Sequence, residues 1–258
     1  MRYTAILKWI PGALLCVVGA AAVFITRDGA LSGDAGAAET IPFALSLICL
    51  AVGVLLIITG ILPQKKAVDV RTLTLAAMFA ALCYIGFTYC KIDIPVGGEK
   101  TAFHLGNVFC VLAALFIGGF WGGTAGAVGM TIADLTTAYV TSAPKTFVLK
   151  LGIGLITGFV AHKVFRISTD TRAKLPLPAA TVLSCAAGMV FNIVADPLVG
   201  YFYKMYILGV PQNAAVIWAK MGAVTTAVNG VVAVIAASVF YLALRPALKR
   251  SGTLPKVN

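Results

Sequence analysis

The chain alternates long apolar runs with short polar segments, most of them basic. Runs with few or no charges lie at 9–25, 41–62, 72–90, 105–120, 122–140, 146–165, 177–200 and 214–244. Each reaches or approaches the length at which a helix crosses about 30 Å of hydrocarbon. Lipid offers a backbone amide no partner, so such runs predict helices, whose hydrogen bonds are internal. No train of short alternating segments suggests a barrel. The expected fold is an all-α integral membrane protein of about eight spans.

Composition agrees. Sixty per cent of the residues are hydrophobic, 11% are charged and the mean hydropathy is +0.97; soluble domains are about half apolar and about a quarter charged. The net charge of +11 raises the question of nucleic acid. Its distribution answers it, because the cations sit between spans and not on a face interleaved with aromatics. Thirteen of the 20 Lys and Arg residues fall on one side if the spans alternate: Arg2, Lys8, Lys65, Lys66, Arg71, Lys163, Arg166, Arg172, Lys174, Arg245, Lys249, Arg250 and Lys256. Positive charge marks the cytoplasmic side, so both termini are expected there, in a bacterial plasma membrane. The first span, 9–25, also has the form of a signal anchor or cleavable signal, with Arg2 and Lys8 before it and Ala35-Gly36-Ala37 after it.

The chain divides at a short basic linker. Residues 1–64 carry almost no polar group inside a span and read as an accessory pair of helices. Residues 70–245 carry glycines and buried charges and read as the working unit, a six-helix substrate-binding domain; 246–258 form a basic tail. Ionisable groups inside a membrane cost about 2.5–3.5 kcal/mol each, so each asks for a reason. Asp134 and Lys150 flank the short loop at 141–144 at similar depth. Two readings stay open for them: an ion pair clamping two helices, or polar lining of a pocket. Asn192 and Asp196 are four residues apart, on one helical face. Asp196 also fits a solvated helix end. His104 and Asn107 open the fourth span, Trp218 and Lys220 stand near the start of the eighth, and Asn229 lies near its middle. A lone Trp218 also fits an interfacial anchor. All these groups map to the outer half, whereas the inner half offers a few Thr, Ser and Cys. A conducting pore carries polar groups through its full thickness. This pattern suggests a cup open on one side.

Glycines at 118, 122 and 126, with 119 and 123 beside them and 154 and 158 in the next span, predict close helix packing. Ala76, Ala77, Ala80 and Ala81 make a smooth strip on the third span that fits internal packing or a partner helix. His104 and His162 lie on opposite sides and cannot share a metal, and no metal or cofactor is expected. The six cysteines show no C-x-x-C spacing. There is no phosphate loop, zinc-hydrolase pattern or nucleophile elbow, so the chain does not read as an enzyme, and any ATP-driven step belongs to another subunit.

The blocks TLAAMFAAL (72–82 region), HLGNVFCVLAALFIGG (104–119), WGGTAGAVGMTIADL (121–135), APKTFVLKLGIGLITG (143–158) and, more loosely, NAAVIWAKMGAVTTAVNG (213–230) carry a resemblance. In order and spacing they resemble the substrate-binding S components of energy-coupling factor (ECF) vitamin transporters, above all the riboflavin and hydroxymethylpyrimidine-type subgroup. The resemblance spans about 70–244. It implies a six-helix S-component-like bundle, to which this chain adds two N-terminal transmembrane helices. It also implies capture of a water-soluble vitamin or precursor, riboflavin-, pyrimidine- or pyridoxine-like, from outside. An ECF coupling transmembrane subunit and two ABC ATPase subunits would be its partners, beside membrane lipid. Carried over to this chain, it places substrate at His104, Asn107, Asp134, Lys150, Asn192 and Asn229, and partner contact at Ala76, Ala77, Ala80 and Ala81. Asp196 and Trp218 join the substrate-binding candidates by their position. The rival reading is a stand-alone secondary transporter of a small polar metabolite.

Overall fold

A computed structural model of the protein describes residues 70–96, 98–168, 175–252 and 257. The expected accessory helices lie outside the described residues. Six α-helices and one β-hairpin follow: α1 (Val70–Thr88), β1 (Lys91–Val96), β2 (Glu99–His104), α2 (Gly106–Ile117), α3 (Gly119–Leu135), α4 (Ala143–Gly158), α5 (Leu177–Phe202) and α6 (Gln212–Arg250). Wider π turns extend α4 through Phe159–Val164 and α5 through Tyr203–Ile207. Asp134–Pro144 belongs to a compact unit separate from that of Asp69–Ala133 and Lys145–Asn258. Among the described residues, four helical segments are long and apolar enough to cross a membrane: Val70–Thr88, Val140–Val164, Leu177–Ile207 and Gln212–Arg250.

The centre of the larger unit is α2. All but one of its 12 residues are buried, the exception being half-exposed Phe109. A helix that is apolar all round has no face for water and is stable only when surrounded. Helix α2 packs chiefly on α1 and α6, and α5 packs on α6. At about 18 Å it is too short to span the hydrocarbon. It is shorter than the expected 105–120 because Gly118, at φ 86°, turns the chain in a single residue and α3 starts at once.

The glycines explain how α2, α3 and α4 lie so close. On α3, Gly122 and Gly126 face the α2 backbone at Ala113–Ala114 and Cys110, so a Cβ there would strike the neighbouring helix. Gly119 and Gly123 form a second stripe, which meets Gly158 and Gly154 of α4. The five-glycine pattern in the sequence is therefore two adjacent stripes serving two neighbours. Close backbone approach gives dispersion contacts that lipid cannot supply between bulkier helices. The alanine strip divides in a related way. Ala76 is buried and Ala80 lies against Gly129 of α3, whereas Ala77 and Ala81 are exposed beside Leu73, Met78, Leu82 and Ile85. Of the four alanines expected at a partner, Ala76 is thus taken up by internal packing.

The segment that joins α1 to α2 is a β-hairpin. Its antiparallel register runs from Lys91↔His104 to Val96↔Glu99, with two residues between the strands and Gly98 at φ 89°. The opposite end of the larger unit is closed by rings: Phe116 of α2 stacks on Phe79 of α1 and tilts against Tyr241 of α6, with centroids 6.2 and 4.9 Å apart. At that end His162 joins Ser168 to the Ala114 carbonyl, and Arg245 donates to the Ile167 carbonyl at 2.9 Å.

Candidate functional site

Of the polar residues foreseen in the sequence, His104, Asn107, Lys150, Asn192, Asp196 and Asn229 collect in one layer at the hairpin end of the larger unit. Short contacts fix its level. Lys145 of α4 meets Asp196 of α5 at 2.9 Å, and Thr226 of α6 donates to the other Asp196 oxygen at 2.7 Å. Cys110 of α2 reaches the Lys150 carbonyl of α4 at 3.6 Å. Gly152 of α4 faces the Phe191 ring of α5, and Gly230 of α6 faces Ile193. Asn107, Lys150, Asn192 and Asn229, all buried, stand within about a turn of these contacts.

Asn229 has a definite task. Its Oδ1 accepts the His104 backbone N–H at 3.0 Å, and its Nδ2 donates to the Ala102 carbonyl at 3.0 Å. Beside it the hydroxyls of Thr225 and Thr101 are 2.8 Å apart. One side-chain amide thus supplies β2 with the donor and acceptor that a third strand would offer. Asn229, a candidate for substrate contact, seats the hairpin on α6. Asp196, for which a solvated helix end was open, is bound through both carboxylate oxygens. Trp218 lies about two turns above Thr225 with the Lys204 ammonium over its ring at 4.2 Å. It stands apart from the layer. Asp134 is buried at the end of α3, in the smaller unit, and its carbonyl accepts the Thr137 amide at 3.3 Å. Its pairing with Lys150 rests on the sequence.

Other groups in the layer keep unused capacity. Among the described residues, His104 Nδ1, Asn107 Oδ1, Asn192 Oδ1 and Thr131 Oγ1 are buried without a hydrogen-bond partner. The His104 ring packs on Phe87 with centroids 4.6 Å apart. Burial, helped by the Lys150 cation and opposed by Asp196, pushes the His104 imidazole down to about 3, so it is neutral at physiological pH. The unused groups are therefore mostly acceptors, two amide oxygens and one ring nitrogen, suited to a ligand that presents N–H or O–H groups. A shallow groove lined by Leu198, Val199, Phe202, Tyr203, Tyr206 and Ile207 draws on none of these residues. No cluster able to hold a metal occurs among the described residues.

A family model described as the S component of ECF-type riboflavin transporters matches residues 67–246. The chain belongs to this family. No curated protein and no solved structure gave a match. The match takes in the larger unit except for its last 12 residues. As an ECF S component the chain is a transmembrane transport protein and not an enzyme: a vitamin-binding subunit that works with an ECF module. The sequence did not foresee Thr101, Thr225 and Thr226, whose partners lie on other elements. Lys145, next to Pro144 at the start of α4, was not among the expected site residues.

Proposed function

We propose that this S component captures a water-soluble vitamin or vitamin precursor, of riboflavin-, pyrimidine- or pyridoxine-like chemistry, in the buried layer beneath the hairpin. The carrying observation is the set of buried acceptors without partners, Asn107 Oδ1, Asn192 Oδ1 and His104 Nδ1. An unpaired buried polar atom costs about 1–3 kcal/mol, and a ligand with N–H and O–H groups along one edge removes that cost. Phe87 and His104 add ring surface for a heterocycle. Among the described residues, Arg71, Lys163, Arg166, Arg245, Lys249 and Arg250 stand at helix ends away from the hairpin, which supports an outward-facing site with both termini cytoplasmic. Delivery inward would draw on a coupling transmembrane subunit and two ABC ATPases. Asp134 and Lys150 are retained as candidate polar contacts on sequence grounds.

The test is to heat the purified protein and identify the released compounds by mass spectrometry, then to measure binding of the same compounds to Asn107→Ala and Asn192→Ala. An enriched heterocycle whose affinity falls in both variants is expected. No enriched small molecule, or unchanged affinity in both, would sink the assignment. Gradient-driven uptake by vesicles holding this chain alone would replace the reading with a secondary transporter.

A further inference from the structure

A two-stranded hairpin is marginally stable in isolation, so something outside it must hold β1 and β2 in place. Three side chain contacts to α6 do so, and two of them come from one residue. Asn229 binds the carbonyl of Ala102 and the amide of His104, and Thr225 meets Thr101 one turn away. The far strand is more open to its surroundings: Ile92, Asp93 and Pro95 of β1 are exposed. Both atoms of the Asn229 amide are engaged with backbone, each through one hydrogen bond. Yet the residue it holds, His104, keeps a buried Nδ1 without a partner and a ring against Phe87.

We propose that Asn229 is a positioning residue that acts on the ligand through β2. It clasps the hairpin to α6, fixes the His104 ring in the layer, and sets how long a bound ligand stays. This rests on the reading of the layer as the ligand site. The hairpin must come off α6 as a unit for exchange to occur, and breaking the clasp then accelerates departure without removing a ligand contact. The side chain is specific. Asn229→Asp keeps the acceptor for the His104 amide but turns the donor to Ala102 into a second acceptor, so it breaks half the clasp. Thr225→Val removes the flanking contact alone.

The experiment is hydrogen–deuterium exchange by mass spectrometry on the full chain in detergent, wild type against Asn229→Ala, Asn229→Asp and Thr225→Val. It is paired with rapid-mixing measurements using riboflavin as the probe. In Asn229→Ala the amides of 100–104 should exchange at least tenfold faster while α2, α4 and α5 keep their wild-type rates. Asn229→Asp should behave similarly and Thr225→Val more mildly. Riboflavin dissociation should quicken about tenfold, with association changed less than threefold. A Thr101→Cys/Thr225→Cys disulfide, oxidised, should slow both association and dissociation, and reduction should restore them. Unchanged exchange at 100–104 in Asn229→Ala overturns the clasp, as does acceleration spread through all helices, which would mark a general scaffold role. Failure of wild type to bind riboflavin counts against that cargo, and the exchange arm then decides the clasp by itself.

Discussion

The two ends of the larger unit differ in how their buried polar atoms are satisfied. Away from the hairpin, His162 and Arg245 reach carbonyls of other segments, but the hydroxyls buried among the helices mostly turn back on their own helix. Thr181 donates to the Leu177 carbonyl at 2.8 Å and Ser184 to the Ala180 carbonyl at 2.7 Å, and Ser238 reaches Cys185. Thr157 is the exception, its hydroxyl buried without a partner beside Gly188. At the hairpin end the polar side chains are long or branched amides, amines and carboxylates, and their bonds run between elements. Satisfaction within one helix is complete whatever the neighbours do. Satisfaction between helices can be left partly unfilled, and His104, Asn107 and Asn192 are so left. On the proposed reading, binding capacity in this bundle is unfinished hydrogen bonding between elements.

The comparison can be broken most severely at the glycines that hold both ends together. Gly154→Leu should cost about 3 kcal/mol or more, because the nearest atoms are the backbone of Gly123 and cannot move aside. Loss of the folded monomer in size-exclusion chromatography would show it. Next comes Asp196→Ala, which leaves Lys145 and Thr226 without their shared acceptor. The pair is partly exposed, so a loss of about 2 kcal/mol is expected, less than for a fully buried pair, read as a lower melting temperature. Asn192→Ala should leave melting nearly unchanged and weaken ligand binding about tenfold to a hundredfold, the loss of one or two buried hydrogen bonds. Thr181→Ala and Ser184→Ala at the other end should each cost about 1 kcal/mol of stability, the loss of one buried hydrogen bond, and change binding not at all. If these two impaired binding as Asn192→Ala does, the contrast between the ends would fail.

Acidity sharpens the contrast further. His104 is held down to about 3 in the folded chain, against about 6.5 when unfolded. Between those values the unfolded chain binds the extra proton, so stability rises with pH there. The contribution is complete above about 6.5 and is lost as pH falls toward 3. Wild type should therefore melt earlier below pH 6.5, and His104→Gln should show a flatter profile over the same window.

Much of this was legible in the chain. Hydropathy located all six described helices, since a membrane helix announces itself by length alone. The layer of polar residues was legible too, because each of Asn107, Lys150 and Asn192 is conspicuous inside an apolar run. The hairpin was not foreseen, although Lys91–Val96 and Glu99–His104 alternate around a Gly-Gly pair that favours a tight turn. Two strands of six residues are easily lost between runs three times as long. The role of Asn229 had no local signal at all. Its partners are 125 and 127 residues away, and an asparagine that binds substrate looks the same in sequence as one that binds backbone. The two glycine stripes were visible as a pattern, but the helix each would meet depends on the turn at Gly118.

Helix α6 runs unbroken for 39 residues, or about 58 Å. It holds the hairpin through Asn229 and, 16 residues on, the carbonyl of Ile167 through Arg245. Those two grips are about 24 Å apart along one stiff rod. A tilt of about 5° around the first would carry the second sideways by about 2 Å, farther than a hydrogen bond stretches before it breaks. The rod is a lever, and a seated hairpin at one end is mechanically tied to the chain's corner at the other.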